Sequence, residues 1–142
     1  MRDDIKETVE NIIELYGTNP LKIAEELNII VNFISLGTTI GFAQYSRRQT
    51  FININCDASE SEQAFGLCHE LGHVVLHNAK NTPFLKFGVP LHSVPKKERE
   101  ANEFAICFLL RRAELDYDVS FNSEIAITYE QLGIPCEFEV YI

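Results

Sequence analysis

An α+β domain is the fold class this sequence predicts, and three observations carry it. Apolar residues fall at helical spacing near the start, three short stretches rich in β-branched and aromatic residues follow, and helical spacing then returns. A length of 142 residues fits one domain over residues 1–142. Hydrophobic residues make up 46% and charged residues 23%, which excludes a disordered tail, a fibre and a low-complexity linker.

Over residues 3–16, Ile5, Thr8, Val9, Ile12, Ile13 and Tyr16 share one helical face, and Gly17 stops the helix. Asn19 reads as an N-cap and Pro20 as the first residue of a short helix reaching about Asn28. Residues 29–35 read as a strand, as do residues 39–45 and 50–55. Ser46-Arg47-Arg48-Gln49 joins the last two as a hairpin turn, so a small antiparallel sheet is expected.

The period then changes. Ser59 and Glu62 have capping-box spacing in an acidic, Ser-rich helix start, and the helix runs to about His77. Residues 78–94 contain Pro83 and Pro90 and read as a long loop. Pro95 opens a helix through Arg112, and a last helix is expected from about Asn122 to Leu132, stopped by Gly133 and Pro135.

Charge and cysteine usage narrow the function. Lys and Arg number 12 against 21 Asp and Glu, a net charge of -9, which argues against direct contact with nucleic acid or an anionic membrane surface. The longest apolar run, residues 104–110, falls far short of the roughly 20 residues a bilayer span needs. The N-terminal stretch is acidic and amphipathic, unlike a signal peptide. Cys56, Cys68, Cys107 and Cys136 are scattered without a CxxC pair. They read as reduced, buried thiols of a cytoplasmic protein, and their spacing excludes a cysteine zinc ribbon.

The sharpest feature is His69-Glu70-Leu71-Gly72-His73, an HExxH sequence within the helix expected to end near His77. Residues four apart lie on one face, about 6 Å apart along the axis, so two imidazoles at that spacing can converge on one metal ion. Glu70 can reach the attacking water as general base. Ala64, Phe65, Leu67, Leu71, Val74 and Val75 supply an apolar face, so two histidines and a glutamate would be buried polar groups needing a partner, which a metal provides.

A catalytic zinc site takes three protein ligands and keeps one position open. His77 continues the spacing but sits about 12 Å along the axis from His69, too far for a shared ion. His92 is a weaker ligand candidate and a better one for contacting substrate. Glu98, Glu100 and Glu103 all lie on the helix opened by Pro95. At about 100° per residue, Ala101, Asn102, Ala105 and Leu109 fall within roughly 60° of Glu98, whereas Glu100 and Glu103 fall roughly 140° to 160° away, on the side expected to face solvent. A carboxylate aimed into a core needs a cation or hydrogen-bond donors, which makes Glu98 the preferred third ligand. Asn102, one turn later, is placed to support a ligand from behind.

CHELGHVVLH followed by EREANEFAICFLL resembles the ImmA/IrrE family of metallo-endopeptidases, and IGFAQYSRRQTFININ is similar to that family's paired strands ahead of the metal helix. The resemblance covers roughly residues 20–135. It implies a zincin-like core, intracellular proteolysis, metal ligands His69, His73 and Glu98, and Glu70 as general base. It also implies a helix-turn-helix repressor as substrate, in a phage, mobile element or stress regulon. The family commonly ends the third-ligand helix with Leu-Leu-Met-Pro, where this chain reads Leu109-Leu110-Arg111-Arg112.

His2Glu ligation suits Zn2+, one per chain, and also Mn2+ or another divalent ion. Tyr45 and His92 are candidates for steadying the oxyanion. The 50–55 strand is expected to offer its edge to an extended substrate. Two other function classes compete: a catalytically silent module of the same fold that sequesters a regulator, and a metal-dependent hydrolase of small molecules. A structural zinc site would need a fourth protein ligand, and Cys68, the nearest thiol in sequence, points roughly 100° away from His69 on a helix.

Overall fold

The computed structural model describes residues 3–88 and 94–116. Among them the order is α1 (Asp3–Tyr16), α2 (Pro20–Glu26), β1 (Ile29–Ile34), β2 (Gly41–Ser46), β3 (Gln49–Asn55), α3 (Glu60–His77) and α4 (Lys96–Asp116). The α+β class expected from the residues is the one observed. The helix expected at 122–132, like His92 and Cys136, lies outside the described residues.

Local signals set the helix ends. The Asn19 side chain accepts from Leu21 N at 3.0 Å, with Pro20 opening α2. At α3, Ser59 Oγ accepts from Glu62 N and Glu62 Oε1 accepts from Ser59 N, both at 3.1 Å, completing the capping box. Asn78 ends α3 in the left-handed region at φ 49°. The Pro95 carbonyl accepts from Arg99 N at 3.0 Å, so Pro95 stands just outside α4. This helix runs a turn past Arg112, because no proline follows Leu110 to stop it. Arg111 uses the extension, pairing with Glu10 of α1 at 2.7 Å and Glu114 at 2.9 Å.

The sheet is mixed, which corrects the expectation of a wholly antiparallel one. Strand order is β1-β3-β2, with β1 parallel to β3 and β2 antiparallel to it. The hairpin is as expected, closing over Arg47 and Arg48 at φ 51° and 64°, the type I′ geometry that matches strand twist. After β1, however, the chain passes to the far edge before the hairpin returns β3 between them. Burial explains the order. Ile52 and Ile54 of β3 are wholly buried, so the strand with the most apolar surface to hide takes the centre, and β1, with Ile30 and Ile34 half exposed, takes an edge.

Because β3 is paired on both sides, it has no free edge to offer a substrate, and that expectation is overturned. The stretch read as an open loop also departs from expectation. Residues 81–85 lie along β2: Thr82 N donates to Ala43 O at 3.1 Å, Leu85 N to Gly41 O at 2.8 Å, and Ile40 N to Leu85 O at 2.7 Å.

The core lies between the inner sheet face and the helices, around Phe65, Leu71, Phe104, Phe108, Ile52 and Ile54. The α3–α4 approach depends on Gly72, where a Cβ would come within 3.0 Å of Phe104 Cβ. No described helix is long and apolar enough to cross a membrane. Cys68 is buried and Cys107 half-buried, but Cys56 is exposed, unlike the buried thiol expected. It follows β3 directly, where the chain turns out towards α3.

Candidate metal centre

The middle of α3 is sunk in the core, with every residue from Phe65 to His73 buried. The helical repeat therefore delivers His69 and His73 to one protected spot, their Nε2 atoms 3.2 Å apart and their rings nearly perpendicular. From α4, Glu98 reaches the same spot: its Oε2 lies 3.1 Å from His69 Nε2 and its Oε1 2.7 Å from His73 Nε2. Glu70 stands beside them, with Oε1 3.8 Å from His69 Nε2. Potential ligand atoms of His69, Glu70 and His73 lie within 4.8 Å of one another.

Asn102, one turn beyond Glu98, places Oδ1 2.7 Å from His69 Nδ1. An amide oxygen only accepts, so Nδ1 carries the proton and Nε2 presents its lone pair. Burial lowers the His69 pKa, against the raising influence of Glu98, and favours the neutral ring. A carboxylate and a bare imidazole nitrogen thus converge with a second imidazole in a buried space. Such a ring of acceptors is satisfied by a cation, and two imidazoles with one carboxylate form a donor set typical of catalytic zinc.

Glu70 is wholly buried beside the two histidines. Burial pushes its carboxyl up to about 8; the Thr82 hydroxyl and the Ala43 amide pull it down, while the Glu98 charge adds to the rise. Its Oε2 accepts from Thr82 Oγ1 at 2.7 Å, and its Oε1 is buried with no hydrogen-bond partner among the described residues.

Glu100 and Tyr45 have contacts of their own. Glu100 and Glu103 are half-buried, not solvated as their helical phase suggested, because α4 is embraced on more than one side. Glu100 is directed at His77, 3.5 Å from its Nε2, so it is direction and not burial that sets Glu98 apart. Tyr45 lies near the end of β2 with its ring under Lys80 Nζ, 3.7 Å away. Thr82, which donates to Glu70, belongs to no motif in the sequence. Its one signal is the proline after it, which biases a residue towards the extended backbone needed to lie along a strand.

A helix carrying HExxH, crossed by a helix that brings a carboxylate to the two histidines, on a small mixed sheet, defines a metallopeptidase-type fold. The chain belongs to the family of the IrrE N-terminal-like domain, a peptidase family whose model matches residues 24–134. It is similar to "uncharacterized immunity region protein 2" of Bacillus phage phi105, with 39% identity over 94% of this chain and 85% of the relative. It is also similar to the metallopeptidase ImmA of Bacillus subtilis (strain 168), with 32% identity over 55% of this chain and 47% of that protein. A metallopeptidase family implies a divalent ion, and the His-Glu-His group is able to hold one.

Proposed function

We propose that this chain, read as one metallopeptidase domain over residues 1–142, is a zinc-dependent endopeptidase of the cytoplasm. Its proposed substrate is a helix-turn-helix repressor of a phage, mobile element or stress regulon. The observation that carries the reading is the convergence of His69 Nε2, His73 Nε2 and the Glu98 carboxylate within 3.2 Å of one another, beside a buried and unpartnered Glu70 Oε1. The immunity-region name of the phage relative supports the repressor context.

In this reading His69, His73 and Glu98 hold one metal ion per chain, and Glu70 is the general base. A divalent cation held there supplies Lewis acidity, which polarises a peptide carbonyl and makes water a stronger acid. The chain's own residues do the remainder. Asn102 keeps His69 in the tautomer whose Nε2 is a ligand. Glu70 Oε1 takes the proton of the attacking water and passes it to the departing amine. The buried surroundings of Glu70 keep bulk water from competing for that proton.

A catalytically silent module built on a structural zinc would need a fourth protein ligand. Cys68 is poorly suited, since burial pushes its thiol up to about 12 and keeps it protonated.

Elemental analysis of wild type, His69→Ala and Glu98→Ala, beside cleavage of the nearest encoded repressor by wild type and Glu70→Gln, tests the proposal. The expected result is about one zinc per chain in wild type, loss in both ligand variants, and a metal-bearing Glu70→Gln whose cleavage rate falls by about 10²-fold or more. Cleavage by Glu70→Gln at the wild-type rate, or metal kept in both ligand variants, overturns it.

A further inference from the structure

We infer that Thr82 is a positioning residue for Glu70: it anchors Oε2 and so reserves Oε1 for the proton of the attacking water. The inference deepens the proposed function and rests on its reading of Glu70 as the base.

Thr82 is held at both backbone and side chain. Its N–H donates to Ala43 O at 3.1 Å, and its hydroxyl accepts from Ala43 N at 2.7 Å. Its neighbours are fixed to the same strand, with Tyr45 N donating to Asn81 Oδ1 at 3.2 Å and Leu85 N to Gly41 O at 2.8 Å. A hydroxyl has one proton to give. With an oxygen lone pair committed to the Ala43 N–H, that proton goes to Glu70 Oε2, 2.7 Å away.

The consequence falls on the other oxygen. Glu70 Oε1 is turned towards His69 Nε2 at 3.8 Å and lacks a hydrogen-bond partner among the described residues. The carboxyl stem is also seated against β2, where a Cβ on Gly41 would lie 4.0 Å from Glu70 Cγ. A free glutamate samples several rotamers; one clamped through a hydroxyl that β2 itself orients presents a single acceptor to the metal side.

Thr82→Val and Thr82→Ser separate positioning from mere folding. Valine keeps the shape and loses the hydroxyl; serine keeps the hydroxyl. Zinc content should stay at the wild-type level in both. On the nearest encoded repressor, Thr82→Val should lower kcat about 10- to 100-fold with KM little changed, and Thr82→Ser should restore most of it. Equal kcat in wild type and Thr82→Val, or a serine variant as poor as the valine one, overturns the inference.

A thermal cycle on the metal-free protein reads the same contact without a substrate. Thr82→Val should lower Tm less in a Glu70→Met background than in wild type, because the partner oxygen is already gone. Equal lowering in both backgrounds overturns the inference. If wild type leaves the repressor uncut, it is the protease reading that fails, and the cycle alone decides whether Thr82 anchors Glu70.

Discussion

His69 Nδ1 and Asn102 Oδ1 stand 2.7 Å apart across the seam between α3 and α4, both buried. The contact joins the helix bearing HExxH to the helix bearing Glu98, and it decides which imidazole nitrogen is left bare. Asn102→Ala removes the acceptor and frees the tautomer. Zinc affinity should fall by about 10- to 100-fold, measured by competition with a chromophoric chelator, while the HExxH residues stay intact. Unchanged affinity would show that packing alone orients the ring.

Gly72 sets how closely the two helices approach. A methyl there would meet Phe104 Cβ at 3.0 Å, and Phe104 is itself buried. Gly72→Ala should therefore push α4 outward. We expect a loss of about 1–3 kcal/mol in stability, from chemical denaturation, and weaker zinc binding because Glu98 moves with the helix. A stable variant with full affinity would mean that the seam absorbs the methyl.

Zinc should stabilise the fold. Three donors converge in the folded chain, but in the unfolded chain His69 and Glu98 are joined only by loose polymer. At free zinc 100-fold above Kd the gain is about 2.7 kcal/mol, a Tm rise on the order of 10 °C by calorimetry. Glu98→Ala should show much less of that rise.

The thiols should separate by reactivity and by pH. Cys56 is exposed, whereas burial holds Cys68 at about 12 against an ordinary 9.0. Iodoacetamide should label Cys56 in the native protein and Cys68 only after unfolding, as read by peptide mass. The sign of the linkage follows. Between about pH 9 and 12 the folded thiol keeps a proton that the unfolded one releases, so stability declines as pH rises through that window. Cys68→Ala should flatten the decline.

Much of the site was legible before any fold was known. The HExxH spacing, the capping box of Ser59 and Glu62, and the phase that puts Glu98 with Asn102 all depend on contacts three or four residues apart, which a helix makes wherever it forms. The hairpin over Arg47 and Arg48 was legible for the same reason.

Other features waited on packing between distant segments. The apolar content of 29–35 and 50–55 marks both as strands, but only burial of Ile52 and Ile54 against the helices put β3 at the centre and made the sheet mixed. The partial burial of Glu100 depends on α4 meeting His77, and the contact of Thr82 with Glu70 on a loop lying along β2. By itself the sequence determined which residue types stand one helical turn apart, because the α-helix imposes that spacing on any chain. Tertiary structure alone decided that Glu98 meets His69 and His73 across 25 or more residues, since such a contact exists only when the apolar faces of α3 and α4 have closed on each other at Gly72 and Phe104.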